Sequence, residues 1–430
     1  MQSKLTLPLS AILLLGASSL YAAKFETLGY KSISMGGAAV ASSTGSIATY
    51  NNPALLGKTP YTVEVSIGGG IGAYDHGIGA SIIKLNDIEF LDTVNKASQD
   101  LTTLTSSDVQ NLIDGINIII DMDGNAVVTS PQAYAAAQIN GFGFGVFGTS
   151  DAAATAVVDQ AYDQLIFFDS GSGQYVKINP DGTPAPSDAA EYTSSSIEYA
   201  IDNGLTYLDV TGVSLGEIPL AYGHSFETNL GNIMIGGALK YMQAVAYTEQ
   251  FDIDYSDSTL GEKLDKTTTD YGVDLGLAYQ PAFAYDLTLA VVAKNINTPE
   301  FDFQDGSKYT IDPMVRAGIA YNIFDSLEIA ADYDLTSNKV LTDDLESQMV
   351  GGGLNFEPFE SFFALSLRAG LMQNLHSNDQ AGLIYTAGMG IGVKWFQLDL
   401  SGQMSSNEHT IDDVSVPHYA KVNLALISRW

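Results

Sequence analysis

Residues 272–279, GVDLGLAY, place Val273, Leu275, Leu277 and Tyr279 on one side and Gly272, Asp274, Gly276 and Ala278 on the other. A period of two sends alternate side chains to opposite faces of a sheet. Here one face is greasy and the other small or polar, as in a wall between lipid and an inner space. From residue 204 onward similar segments follow one another: 206–226, 231–252, 268–280, 285–295, 312–322, 327–336, 347–357, 362–372, 382–393, 395–405 and 417–430. Most run 10–14 residues. That length lets a tilted strand cross a bilayer, whereas soluble strands average about 5–6 residues.

The connections alternate in length. Short ones fall at 228–232, 281–285, 322–326, 357–361 and near Lys394; long ones fall at 253–267, 296–311, 337–346, 373–381 and 406–416. Outer-membrane barrels have this asymmetry, with short periplasmic turns and long external loops. Running the parity backwards adds strands at 61–74, 131–139 and 141–149, the last two joined at Asn140-Gly141. The sum is 14 strands, an even number that closes an antiparallel barrel. Inserts 75–130 and 150–203 become external loops, with helices expected over 88–97, 107–120 and 152–165. The expected fold is all-β: a 14-stranded antiparallel transmembrane β-barrel over 61–430 with an N-terminal plug and partly helical long extracellular loops.

Composition agrees. Charged residues make up 16% of the 430-residue chain, against about 25% in soluble domains. A net charge of −32 argues against nucleic acid as a partner, because phosphates are repelled. With no cysteine, disulfides, thiolate catalysis and thiolate metal sites are excluded. Lys4, the apolar run 5–15 and the small residues ending at Ala22 read as a signal peptide over 1–22. No later stretch is apolar enough for a membrane helix. Trp430 supplies a terminal interfacial aromatic. The expected location is the outer membrane, facing its lipid and lipopolysaccharide.

Residues 23–60 hold no strand pattern and are rich in Gly, Ala and Ser. They form either a periplasmic tail or a plug, and Asn51-Asn52-Pro53, a fixed turn, favours the plug. The segment 30–58, YKSISMGGAAVASSTGSIATYNNPALLGK, resembles the hatch of the long-chain fatty-acid (FadL-type) transporter family of outer-membrane proteins. Asn52-Pro53-Ala54 is its most specific element. The closer likeness is to the TraF-like branch, often labelled conjugal transfer protein, through 217–240, EIPLAYGHSF…IGGALKYM. The resemblance implies passive uptake of hydrophobic molecules past a hatch, with a lateral opening at a kinked strand in some members. Pro219 lacks a ladder donor and marks either such an opening or a local bulge.

The candidate ligand-facing residues are apolar: Phe142, Phe144 and Phe147, and in the inserts Ile116, Ile118, Ile119, Ile120, Leu165, Ile166, Phe167 and Phe168. Each faces either a ligand or simply lipid or a loop core. Lys84, Lys96 and Lys177 are the external cations of the first half, too few to favour a carboxylate over a neutral hydrocarbon. The five histidines, 76, 224, 376, 409 and 418, form no paired metal motif, and there is no G-x-S-x-G elbow, so an enzyme is not expected. No cofactor is expected. Asp121, Asp123 and Asn125 resemble the start of a calcium loop, but the glycine falls one place early and the glutamate is missing. An Asp-rich turn is the plainer reading and Ca2+ the alternative. The chain is expected to act as a monomer on hydrophobic small molecules or lipids. The other reading is a structural barrel serving conjugation or secretion machinery.

Overall fold

The computed structural model describes residues 26–252, 267–302, 308–339, 346–360, 362–376, 381–411 and 414–430. The signal peptide expected over 1–22 and most of the connection 253–267 lie outside them. Fourteen antiparallel strands form one closed barrel. They are β1 Val63–Asp75, β2 Ala126–Ile139, β3 Phe142–Val158, β4 Thr206–Thr228, β5 Gly231–Asp252, β6 Thr268–Pro281 and β7 Leu287–Lys294. They continue as β8 Met314–Phe324, β9 Leu327–Asp334, β10 Met349–Glu360, β11 Phe363–Asn374, β12 Leu383–Val393, β13 Phe396–Ser405 and β14 Tyr419–Arg429. β14 pairs with β1 from Glu64↔Arg429 to Tyr74↔Tyr419 and closes the wall. Odd-to-even connections, such as β1–β2 and β3–β4, are long and lie at one end of the barrel; even-to-odd connections, such as β2–β3 and β4–β5, are short and lie at the other. Among the described residues no helix is long and apolar enough to cross a membrane.

The outer face follows the alternation. Leu275 and Leu277 on β6, Leu220 on β4 and Leu424 on β14 are each roughly half exposed, whereas Asp274, Ala278, Ala221 and Asn423 between them are buried. At the short-turn end Phe283, Phe324, Phe363, Trp395 and Trp430 stand on the outside, an aromatic girdle of the kind barrels place at a membrane interface.

Two expectations are corrected. β2 and β3 run past the expected ends at 131 and 149, starting at Ala126 and ending at Val158. The helix expected over 152–165 is therefore absent. Its alanine-rich half, 152–158, has good helix propensity, but the tall β4 offers unbroken pairing from Asp151↔Val213 to Val158↔Thr206, and pairing wins. The second insert thus begins only at 159.

Both inserts fold together into a cap at the long-loop end. α3 (Ile78–Asp87), α4 (Phe90–Gln99) and α5 (Ser106–Asp121) come from the first. The second supplies a three-stranded sheet (Leu165–Asp169, Gln174–Ile178, Pro184–Pro186), α6 (Ala189–Ser195) and α7 (Ile197–Asp202). Their shared core includes Phe90, Leu112, Ile116, Ile119, Phe167 and Ile197, with Ala156 and Val158 from the top of β3. α5 begins with a capping box between Thr105 and Asp108, which satisfies orphan N–H groups reciprocally.

Residues 28–58 lie inside the barrel and run around its inner wall. α1 (Tyr30–Ser34) rests against β12 and β13, Gly36 against β10 and β11, Val40 against β8, α2 (Ala48–Asn51) against β3 and β4, and Pro53–Lys58 against β4, β5 and β6. Glycines on the wall make room. A Cβ at Gly236 would stand 2.3 Å from the Pro53 carbonyl carbon, one at Gly276 2.0 Å from Asn52 Oδ1, and one at Gly223 2.2 Å from Pro53 O. Gly353 and Gly370 do the same for Met35, and Gly388 for Ser34. These distances forbid a side chain, so the plug backbone and the glycine belt fit only each other.

Replacing Gly236 or Gly276 with valine is expected to dislodge the 52–54 turn, lower barrel stability by about 1–3 kcal/mol, and open the plug, whose Lys31 side chain is mostly buried, to trypsin. Thermal melting with limited proteolysis in detergent checks this. An unaltered melt with Lys31 still protected would show that the close contact is not needed.

Candidate functional site

The plug is tied to the wall by polar groups as well as by fit. The Gln403 side-chain amide donates to Ile33 O (2.9 Å), Gly36 N–H donates to Thr386 Oγ1 (2.9 Å), and Ala39 and Val40 N–H groups donate to Asp332 Oδ2 (2.7 and 2.9 Å). Lys31 pairs with Glu328 at 2.5 Å. Glu64 accepts from Ser46 N–H (2.8 Å) and from Arg429 (3.0 Å), and Arg429 donates in turn to the Tyr30 hydroxyl (2.7 Å). The seam between first and last strands is thereby bonded to the plug. Further wall pairs are fully buried: Lys240 with Glu217 (2.7 Å) and Asp274 (3.1 Å), Arg316 with Asp334 (2.5 Å), and Arg368 with Asp399 (2.7 Å). Stripping one partner from such a pair typically costs about 3–5 kcal/mol.

Asn52, Pro53 and Ala54 form the tightest turn of the plug. Asn52 is fully buried. Its Oδ1 accepts from Ala54 N–H (3.1 Å), and its Nδ2 donates to Val40 O (2.8 Å). Phe147 is buried and packs on Tyr50 of the plug with ring centroids 4.9 Å apart; Lys294 covers Tyr50 at 3.3 Å. Phe147 is therefore a seat for the plug. Phe142 and Phe144 point outward, 54% and 48% exposed, because β3 alternates and only its odd positions face in here. Reading them as ligand-facing is corrected: they belong to the outer surface. Ile119 and Phe167 are fully buried in the cap core, so they hold the cap together. Asp121, Asp123 and Asn125 close the turn from α5 into β2. Asp123 Oδ1 accepts from Val158 N–H (2.9 Å), and Asn125 Nδ2 donates to Asp121 O (3.1 Å).

A cavity of about 160 Å³ lies above the plug, toward the long loops. Val128, Met349, Met372, Ile384, Tyr74 and Tyr419 provide its apolar lining; Glu26, Thr27, Ser130, Gln403 and Lys421 are also on it. Several of these polar groups are already hydrogen-bonded. Lys421 donates to Gln132 (2.8 Å) and the Tyr419 hydroxyl donates to Gln403 Oε1 (2.8 Å). At the rim, burial, with His418 nearby, pushes the His76 imidazole down to about 4, so it is neutral at pH 7. The opposite half of the lumen is filled. The connection between β7 and β8 folds inward, and its Phe301, Tyr309 and Ile311 pack with Val40 of the plug, Val213 and Met242.

None of Met349, Met372 or Ile384 was singled out from sequence, yet a signal exists. Inward positions read Met349, Gly351, Gly353, Asn355 down β10 and Met372, Gly370, Arg368, Ser366 down β11. Large apolar, then glycine, then polar: the cavity, the plug and the bonded layer below it appear in that order.

Two prolines interrupt the wall on either side of β3. Pairing of β3 with β4 skips Ile218 and Pro219 opposite Gly145 and Val146. Behind that gap lie Phe147, Tyr134 and Tyr50, packed with the plug. Pairing of β2 with β3 skips Ser130 and Pro131 opposite Ser150 and Asp151. Ser130 there lines the cavity and bonds the Asp151 carboxylate. Among the described residues, packed plug and wall side chains lie behind the Pro219 interruption, whereas Pro131 lies beside the cavity.

The fold is a plugged, capped, closed 14-stranded antiparallel barrel with an apolar outer face. The chain belongs to the family described as F plasmid transfer operon, TraF, protein, whose model matches residues 49–334. It is similar in fold to the TodX monoaromatic hydrocarbon channel deltaS2 mutant, at 11% identity and a TM-score of 0.50 over 95% of this chain and 100% of that one. The Pseudomonas putida toluene transporter TodX aligns at 12% identity and a TM-score of 0.47, covering 95% and 99%. A Pseudomonas aeruginosa FadL homologue aligns at 9% and 0.46, covering 96% and 99%. No curated protein matches the chain in sequence.

Within the cap, Glu198 is buried, accepts from Ser98 and from Phe168 N–H (3.1 Å), and its carboxyl is held above the ordinary range by that burial. A folded state that binds the proton more tightly is favoured at low pH and loses that advantage as pH rises through the raised value. Asp108 acts oppositely. Lys96 and Thr105 hold it down to about 2, so its contribution is present above the ordinary carboxylate range and lost toward pH 2. Glu198→Gln is expected to stabilise the cap at neutral pH and flatten its pH dependence above the ordinary carboxylate range. Proteolysis-monitored melting of the cap from that range up to neutral pH measures it; an unchanged slope would refute the assignment.

Proposed function

We propose that this protein is an outer-membrane channel for small, neutral apolar molecules, which enter from outside into the cavity above the plug. The apolar lining set by Met349, Met372 and Ile384 carries this reading. A dry cavity of about 150 Å³ binds benzene, so about 160 Å³ suits a single-ring compound far better than an extended sixteen-carbon chain. Burial supplies about 0.8 kcal/mol per CH₂-sized group. Lys421, bonded to Gln132, and the neutral His76 offer a carboxylate little. Two of the three similar structures are a toluene transporter and a monoaromatic hydrocarbon channel, which is consistent in solute class.

The plug is bonded around its length, so removing it would break many pairs at once. Exit through the wall disturbs far fewer. We place that exit at the β2–β3 interruption beside Ser130 and Pro131, next to the cavity, and not at Pro219. The family description favours a second reading, in which the plugged barrel serves a DNA-transfer apparatus.

Uptake of radiolabelled toluene by cells lacking the native gene and expressing each variant separates these readings. Filling the cavity with Met372→Trp is expected to reduce uptake about tenfold or more. Pro131→Ala, which restores a ladder donor, is expected to reduce it severalfold, while Pro219→Ala leaves it unchanged. Uptake indifferent to Met372→Trp would reject the channel and favour the transfer reading. A Pro219→Ala loss with Pro131→Ala neutral would move the exit.

A further inference from the structure

The cap carries an unbroken row of aromatic rings on its surface. Phe168 meets Tyr175 with centroids 5.1 Å apart, Tyr175 meets Tyr192 at 5.1 Å, Tyr192 meets Tyr199 at 5.6 Å, and Tyr199 meets Tyr162 at 6.0 Å. The rings come from two strands, both helices of the second insert and the turn before them, so only the folded cap assembles the row. Phe168 is 40% exposed and the four tyrosines are part-exposed. None belongs to the lumenal cavity or to the cap core.

The surroundings are acidic. Residues 76–125 and 159–205 hold sixteen Asp and Glu against three Lys, a net charge of −13 with His76 neutral. Asp163 follows Tyr162 directly, and Asp202 and Glu198 bear electrostatically on Tyr192. Lys177, the one cation of 159–205, is already paired with Glu191 at 2.9 Å.

Part-exposed rings inside a negative field suit a cation. A guanidinium stacks on a tyrosine face while its charge is met by neighbouring carboxylates. A complementary field also steers such a partner to the site. We propose that this tyrosine row is a docking surface for a protein partner that presents a basic, arginine-bearing segment at the long-loop side of the barrel. Anionic polymers are repelled there, and a second copy of this acidic cap repels itself. The proposal does not depend on what the cavity carries.

The test uses the full-length protein in lipid nanodiscs at physiological salt and fluorescent nona-arginine as probe, with nona-lysine and the neutral sugar maltoheptaose as comparators. Saturable binding of nona-arginine, stronger than of nona-lysine, is expected. Tyr175→Leu with Tyr192→Leu is expected to weaken it roughly fivefold or more, since it removes two rings but no charge. Tyr175→Phe with Tyr192→Phe keeps the rings and is expected to bind like the wild type, which separates ring loss from misfolding. Equal binding by the leucine and phenylalanine pairs would reduce the effect to bulk charge and overturn the proposal. Preferential binding of maltoheptaose, or no saturation with nona-arginine, would overturn it as well.

Discussion

Backbone-to-backbone contact between the plug and a belt of wall glycines is the constraint on which the rest of the molecule depends. Gly223, Gly236 and Gly276 receive the turn at Asn52–Ala54, and Gly353, Gly370 and Gly388 receive Ser34 to Gly36. At such distances the two surfaces leave no room for water or for a side chain. The buried ion pairs of the wall then become tolerable, because the plug supplies what solvent no longer can: hydrogen-bond partners for Asp332, Glu64 and Thr386. A charged lumen without the plug would be a wide polar hole. With it, the lumen is a packed interior that happens to be curved around a central segment.

That interior is uneven, and the unevenness assigns the work. One half is filled by the inward β7–β8 connection around Phe301 and Tyr309. The other half keeps open space bounded by methionines, whose flexible, polarisable side chains adapt to ligands of different outline. The tall strands β4 and β5 line the filled half, and the tops of β3 and β4 pack against the cap. Carrying, binding and passing are thus given to different sectors of one wall.

The wall was legible because its alternation is imposed by two solvents, lipid outside and polar contents inside. GVDLGLAY needs no other context. The cap was less so. The run 152–158 is helical by propensity, and only the presence of a tall neighbour at 206–213 makes it a strand. Phe142 and Phe144 were misjudged for a related reason: alternation says that they share a face, not which face, and the outward side is fixed by Gly143 and Gly145 yielding to Thr49 and to neighbouring strands inside. The cavity lining was encoded in inward positions of β10 to β12, but reading it requires knowing where along each strand the plug crosses. That height is a property of the closed barrel and of no single segment.

The triad of Glu64, Arg429 and Tyr30 has a consequence for how the molecule comes into being. Glu64 and Arg429 belong to the first and last strands, and Tyr30 to the plug. Around an empty lumen, the closing seam would bring together a carboxylate and a guanidinium missing the hydroxyl and the serine that complete their bonding. The seam between first and last strands therefore has its full side-chain bonding only with the plug seated. Closure of the wall is thus energetically complete only in a barrel that is filled, and an empty lumen is the form that this chemistry disfavours.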